Sequence, residues 1–156
     1  MITNVRFRLA RKSDASWMAG LSRDYIEHGL SWRYGRAQIL RAIADREFNA
    51  VVAGDGTHRL GFGIMEYGQE AAHLVLLGVL PKHRNQGLGR ALVTWLEKPA
   101  TVAGLLRVRV EVRADNPAGI AFYERLGYRE CTRMRGYYDG RVDALRFDRP
   151  LCTPVE

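Results

Sequence analysis

Val79-Leu80-Pro81-Lys82-His83-Arg84-Asn85-Gln86-Gly87-Leu88-Gly89-Arg90-Ala91-Leu92 is the stretch from which the fold is read. An apolar run from Leu74 to Leu80 stops at Pro81, a short basic turn with two glycines follows, and helical spacing of apolar residues begins at Leu88. A strand, a glycine turn and a helix start in succession make an anion site. The first turn of a helix leaves backbone N–H groups without partners and carries partial positive charge. Gly87 and Gly89 have no side chain to hold a phosphate away from those donors. Lys82, His83, Arg84 and Arg90 add positive charge around them. No Gly-Lys-Ser/Thr follows, so this is not a Walker A loop, and two glycines do not make Gly-x-Gly-x-x-Gly.

Outward from this segment the apolar periodicities mark the other elements. Upstream, residues 4–10 alternate as an edge-type strand, and Ser13 or Asp14 can cap a helix running to about Glu27 through Trp17, Met18, Leu21 and Tyr25. Gly29 to Gly35 reads as a loop carrying Trp32 and Tyr34, and Arg36 to Arg46 as a helix with Ile39, Leu40 and Ile43 on one stripe. Strands follow over Phe48–Ala53, Leu60–Tyr67 and Ala71–Leu80, the last apolar enough for burial on both faces. The helix after the glycine turn places Leu88, Ala91, Leu92 and Trp95 inward and runs to about Lys98, where Pro99 and Gly104 punctuate its end.

Downstream, Leu105 to Arg113 is a strand with Arg107, Arg109, Glu111 and Arg113 on one face and Val108, Val110 and Val112 on the other. A strand between helical segments is normally covered on both sides, so a charged face marks a solvated cleft; a surface ladder of ion pairs is the plainer alternative. Three arginines beside one glutamate favour ionised Glu111, and an ionised carboxylate at a cleft can take a proton from an incoming ammonium, directly or through water. Asn116-Pro117 starts a helix as N-cap and first helical residue, and Gly127 ends it as a left-handed cap. Tyr128–Tyr138 and Arg141–Arg149 are strands joined by a tight turn at Asp139-Gly140. The sum, β-α-α-β-β-β-α-β-α-β-β, is an α/β chain with a mixed sheet and helices on both faces.

Two segments carry a family resemblance. Arg84-x-x-Gly87-x-Gly89 resembles the acyl-CoA pyrophosphate loop of the GCN5-related N-acetyltransferase (GNAT) family. The run Asn116-Pro117-Ala118-Gly119-Ile120-Ala121-Phe122-Tyr123-Glu124-Arg125-Leu126-Gly127-Tyr128 resembles that family's Asn-x-x-Ala…Tyr-x-x-x-Gly-Phe/Tyr helix, with Gly119 in place of alanine. The motifs cover about residues 59–149; the first 58 residues agree in element order alone. The resemblance implies a central mixed sheet splayed around acetyl-CoA as cosubstrate. Its binding would fall to the backbone of Leu77 and Val79, to the turn residues Arg84, Asn85, Gln86, Gly87, Leu88, Gly89 and Arg90, and to Asn116 and Tyr123. Gly78 would mark the bulge that splays the strand. In the implied mechanism an amine attacks the thioester directly in a ternary complex, backbone N–H near Leu77–Val79 holds the developing oxyanion, and Tyr123 protonates the departing thiolate. Glu111, twelve positions before Tyr123, sits as the base does in the N-terminal acetyltransferases of the ribosomal-protein type, and Tyr-Tyr-x-Gly-x-x-Asp-Ala at 137–144 is similar to the same branch. Trp32, Tyr34 and Tyr138 are candidates to line the acceptor site. A peptide α-amine is the leading acceptor, a small-molecule or amino-acid amine the next, and a non-catalytic CoA-binding module the alternative to an enzyme.

Composition sets the bounds. A chain of 156 residues with 47% apolar and 26% charged residues is read as a single domain over 1–156 with a real core. The net charge of +7 suits an anionic partner, and with the arginines spread along the chain and no nucleic-acid-binding motif in view, a polyanionic cosubstrate fits better than nucleic acid. Cys131 and Cys152 have no Cys-x-x-Cys spacing and the four histidines form no ligand cluster, so no metal is expected. The longest apolar run is too short for a bilayer and the N-terminus alternates like a strand, giving the expectation of a soluble, cytoplasmic protein without membrane attachment. The C-terminal strands leave room for a homodimer.

Overall fold

The computed structural model describes residues 4–151. Seven strands form one sheet: β1 (Arg6–Leu9), β2 (Phe48–Gly54), β3 (Arg59–Tyr67), β4 (Ala71–Val79), β5 (Arg107–Arg113), β6 (Arg129–Tyr138) and β7 (Val142–Pro150). They lie in the order β1-β2-β3-β4-β5-β7-β6. Every neighbouring pair is antiparallel except β4 and β5, which run parallel. Four α-helices cover the sheet: α1 (Ala15–Leu21), α2 (Arg36–Ala44), α3 (Leu88–Val102) and α4 (Pro117–Arg125). Alternation along the strands feeds two cores. Met18, Ile39, Val52, Phe62 and Leu76 pack beneath α1 and α2. Val51, Leu74, Val110 and Phe147 pack beneath α3 and α4, together with Leu92 and Leu96 of α3.

The sheet opens between its two parallel strands. β4 pairs β5 only over Ala71–Leu74 against Arg107–Val110. From Val75 onward the edge of β4 turned toward β5 has no strand partner, and its backbone groups face a cleft. The irregularity lies at Val75 and not at Gly78: Ile64 pairs Leu76 while Met65 pairs Leu74, which leaves Val75 as the extra residue of a bulge. Gly78 stays in register opposite Phe62. A side chain there would collide with Leu21, so glycine lets the first helix lie close to the strand. The bulge also reverses which side of β4 faces which core. Before it Ala72 and Leu74 face α3; after it Leu77 and Val79 do, while Leu76 turns to the α1 side. Burial on both faces, expected from the apolar run, is therefore met only at alternate positions, because the others line the cleft.

Two helices depart from the periodic expectation. The first is α-helical only to Leu21 and continues as a π-turn over Ser22–Ile26, closed by a hydrogen bond from Glu27 N to Ser22 O. The added residue per turn leaves Tyr25 48% exposed instead of in the core. α3 continues through Pro99 to Val102 and does not stop at Lys98. Pro99 lies on the exposed side, where its missing N–H is tolerated, while Ala100 is fully buried and anchors the last turn. The buried stripe of α3 is Leu88, Leu92, Val93, Leu96 and Ala100; Ala91 and Trp95 sit half-buried at its margin.

Candidate active site

A cavity of about 820 Å³ fills the opening between β4 and β5. Its lining includes Leu77, Val79, Arg84, Asn85, Gly89, Asn116 and Tyr123, and from the other side Tyr34, Glu111 and Tyr138. Sequence positions spread over more than a hundred residues thus meet at one place. Gln86, Gly87, Leu88 and Arg90 do not line it; Gly87 and Arg90 border a separate, shallower hollow. Trp32 faces outward, 47% exposed, with the Arg23 guanidinium stacked 5.4 Å from its ring centre.

The glycine turn has the geometry an anion requires. Asn85 and Gly87 take left-handed conformations, φ 61 and 82, so the turn tightens just before α3 and directs the first N–H groups of a 15-residue helix outward. A side chain on Gly87 would meet nothing within 4 Å, so the space in front of the turn is open to a ligand. Arg84 is held there by donating Nε–H to Val79 O at 3.2 Å and by stacking 5.6 Å from the Tyr25 ring centre. Gly87→Val forces a β-branched residue into the left-handed region, at a cost of about 1–2 kcal/mol, and tilts the helix start. The Kd for acetyl-CoA, read by calorimetry, is expected to rise about tenfold or more; an unchanged Kd would place the phosphates elsewhere.

Asn116 caps α4 by accepting Gly119 N–H at 3.0 Å through Oδ1, which fixes a side chain that also lines the cavity. Gly119 has a packing reason: a Cβ there would collide with the Asn116 amide, so this Asn116 rotamer depends on glycine. Tyr123 is 8% exposed, and its ring packs edge-on against Phe122 and Tyr128 at 5.0 and 5.6 Å. Its hydroxyl has no protein partner among the described residues, and none of their buried side-chain polar atoms is left unsatisfied, so the hydroxyl opens onto the cavity. Burial, then the Tyr138 phenol, pushes its pKa well above the usual tyrosine value.

Glu111 is 7% exposed and both of its oxygens are engaged. Oε1 lies 2.6 Å from Nε2 of His73, and Oε2 accepts Arg146 Nε–H at 3.2 Å. Burial works to raise its pKa, but the hydrogen bonds from His73 and Arg146, with the Arg146 charge, outweigh that and hold the carboxyl below its usual range. The partners expected along β5 are occupied otherwise: Arg109 pairs Asp148 at 3.4 Å, and Arg113 pairs Asp115 at 3.0 Å. His73 is a residue the sequence reading missed. Its signal was a lone polar residue in an apolar strand, at a position that the parallel register sets opposite Arg109.

The mouth of the cavity is roofed. Glu27, brought round by the π-turn, accepts Arg33 N–H at 2.7 Å and Tyr34 N–H at 3.2 Å, and so folds the 27–35 segment. Four links tie that segment to the far wall: Arg113 to His28 O at 2.6 Å, Arg141 to Gly29 O at 2.7 Å, Ser31 N–H to Asp139 at 2.6 Å, and Arg33 to Asp139 at 3.8 Å. Tyr34, Tyr137 and Tyr138 stand beneath. Cys131 lies outside the cavity with its Sγ–H on Arg146 O, and burial raises its pKa, so it is no activated nucleophile; Cys152 lies outside the described residues. Among the described residues no group of three or more His, Cys, Asp or Glu is gathered as for a metal. No helix among them is long and apolar enough to cross a membrane.

The model of the Acetyltransferase (GNAT) family matches residues 15–128. A [Ribosomal protein bS18]-alanine N-acetyltransferase of Escherichia coli (strain K12) is 41% identical over 93 residues, 58% of this chain and 63% of that protein. The match thus spans less than two thirds of that relative's length. The crystal structure of the ribosomal-protein-S18-alanine N-acetyltransferase from Escherichia coli superposes with a TM-score of 0.81 at 26% identity, covering 97% of each chain. Arabidopsis thaliana NAA60, solved in complex with acetyl-CoA, superposes with a TM-score of 0.82 over 94% of this chain and 98% of its own; at 19% identity that likeness concerns the fold alone.

Proposed function

Because the chain belongs to the GNAT acetyltransferase family, we propose that it transfers the acetyl group of acetyl-CoA to a primary amine, the α-amine of a peptide. The observation that carries this reading is the common cavity: the anion-binding turn, the unpaired edge of β4, the Tyr123 hydroxyl and the ionised Glu111 all border it. The Escherichia coli relative, named for an alanine α-amine on a ribosomal protein, supports the acceptor class and fits a cytoplasmic location. The free edge of β6 is where two copies would pair if the protein is a homodimer.

Bound acetyl-CoA supplies an acyl group activated as a thioester. The turn from Arg84 to Arg90 would hold its pyrophosphate, and the Asn116 amide with the open backbone of Leu77 and Val79 would hold the pantetheine arm. Backbone N–H on that edge faces the carbonyl oxygen where negative charge develops. Tyr123, kept protonated by its burial, gives its proton to the leaving sulfur. The Glu111–His73 pair draws in the ammonium and removes its proton. Fixing both reactants in one roofed cavity supplies much of the acceleration.

Release of free thiol from acetyl-CoA in the presence of N-terminal peptides, free amino acids, polyamines and aminoglycosides tests this. Release with peptides alone is the expected result. Release with small amines alone would move the acceptor class, and binding of acetyl-CoA without any release would make the chain a binding module.

A further inference from the structure

We propose that the proton shed by the acceptor ammonium is taken up by His73 through its Nδ1, with Glu111 as the positioning anion and not the base; this rests on the acetyltransferase reading above. At 2.6 Å between His73 Nε2 and an ionised carboxylate oxygen, the hydrogen belongs on Nε2. That fixes the tautomer and leaves the Nδ1 lone pair free, with no protein partner among the described residues. A carboxylate orienting an imidazole so that the far nitrogen acts as base is a recurring arrangement.

Glu111 itself is poorly suited to hold the proton. Its oxygens already accept from His73 and Arg146, and its acidity is raised above that of an ordinary glutamic acid. As a class, a neutral imidazole is a much stronger base toward an α-ammonium than a carboxylate is. His73 also has the exit that Glu111 lacks: its side chain is 37% exposed against 7%. Glu66 stands opposite His73 on β3 and Arg109 on β5, Arg109 is paired to Asp148 of β7, and Arg146 and the Tyr138 phenol flank Glu111. His73 lines the same cavity as Glu111 and Tyr123, so an acceptor bound there shares one space with the imidazole, and Nδ1 would take its proton directly or through one water. The step balances. One N–C bond forms and one C–S bond breaks. Of the two protons the ammonium gives up, one ends on the thiol by way of Tyr123 and the other leaves to solvent through His73.

The test is a pH profile of kcat/KM for a peptide acceptor in full-length variants. His73→Gln keeps an N–H donor toward Glu111 but cannot take a proton. It is expected to lose about 10²-fold in kcat/KM, to keep its acetyl-CoA affinity, and to lose the acidic limb of the profile. In His73→Ala, added imidazole is expected to restore turnover in proportion to its concentration, which a purely structural role would not produce. His73→Gln with full turnover and an unaltered acidic limb overturns the proposal, all the more if Glu111→Gln abolishes that limb. Failure of the acetyltransferase reading looks different: the unsubstituted protein then releases no thiol with any amine. If His73→Ala does not fold, the profile of His73→Gln decides alone.

Discussion

Tyr123→Phe is expected to lower kcat by about 10²- to 10⁴-fold, the usual worth of a positioned general acid, while acetyl-CoA affinity and thermal stability stay where they were. The asymmetry comes from the packing. The Tyr123 ring is held by edge-on contacts to Phe122 and Tyr128, and phenylalanine makes both. The hydroxyl has no protein partner to lose, so its removal strands no buried polar group. What disappears is a proton poised over the cavity. Burial holds that proton on the oxygen across the neutral and mildly alkaline range, so the unsubstituted protein is expected to show no alkaline limb from Tyr123 below about pH 10. Single-turnover kinetics beside a calorimetric Kd separate the two effects. Turnover at the original rate would remove Tyr123 from the acid role.

Asp14→Ala is expected to cost about 3–5 kcal/mol of stability, lowering the melting temperature by about 10 °C or more. Asp14 is 1% exposed, yet charged. Its carboxylate accepts Arg8 Nη1–H at 2.7 Å and Nη2–H at 3.0 Å, Arg59 Nε–H at 2.9 Å and the Arg11 backbone N–H at 2.7 Å. It thereby pins β1, the start of α1 and β3 at one point. Alanine leaves two guanidinium groups facing each other without their anion. The hydrogen bond from Arg8, set against burial, lowers the Asp14 pKa to about 2. A carboxyl depressed in the folded state contributes stability above its unfolded value near ~3.9 and loses it as the pH falls toward the folded one. Roughly 2 kcal/mol is at stake, reduced by solvent screening because Arg8 and Arg59 are each 37% exposed. Melting curves at pH 7 and pH 3 should therefore differ less for Asp14→Ala than for the unsubstituted protein. A variant that melts within a degree or two of the original would show the cluster to be dispensable.

What the sequence discloses about this chain is what neighbours in sequence determine. The strand, glycine turn and helix over 79–92, the Asn116-Pro117 start of α4 and the alternation of β5 are local patterns, and all three hold in the structure. The π-turn at Ser22–Ile26 was hidden because its apolar spacing still scans as one long helix to Glu27. Pro99 and Gly104 look like a helix end, yet α3 runs through Pro99, which sits on its exposed side, to Val102. The candidate site was legible where its residues belong to a motif and illegible where they meet only through sheet register. His73 and Glu111 are 38 positions apart and touch because the parallel pairing of β4 and β5 brings them side by side. For the same reason the arginines spaced along β5 looked like the partners of Glu111, whereas Arg146 on β7 holds it.

The bulge at Val75 assigns the two halves of β4 to different cores. Leu74 and Leu76 look like one pair, two positions apart and both almost wholly buried, but each belongs to a different core. Changes at Leu74 are therefore expected to couple more strongly to Val110 and Leu96, with which it shares a layer, than to Leu76. A single strand thus allows the layer under α1 and the layer under α3 to drift separately in sequence, with the cleft between β4 and β5 as the one place where both must still agree.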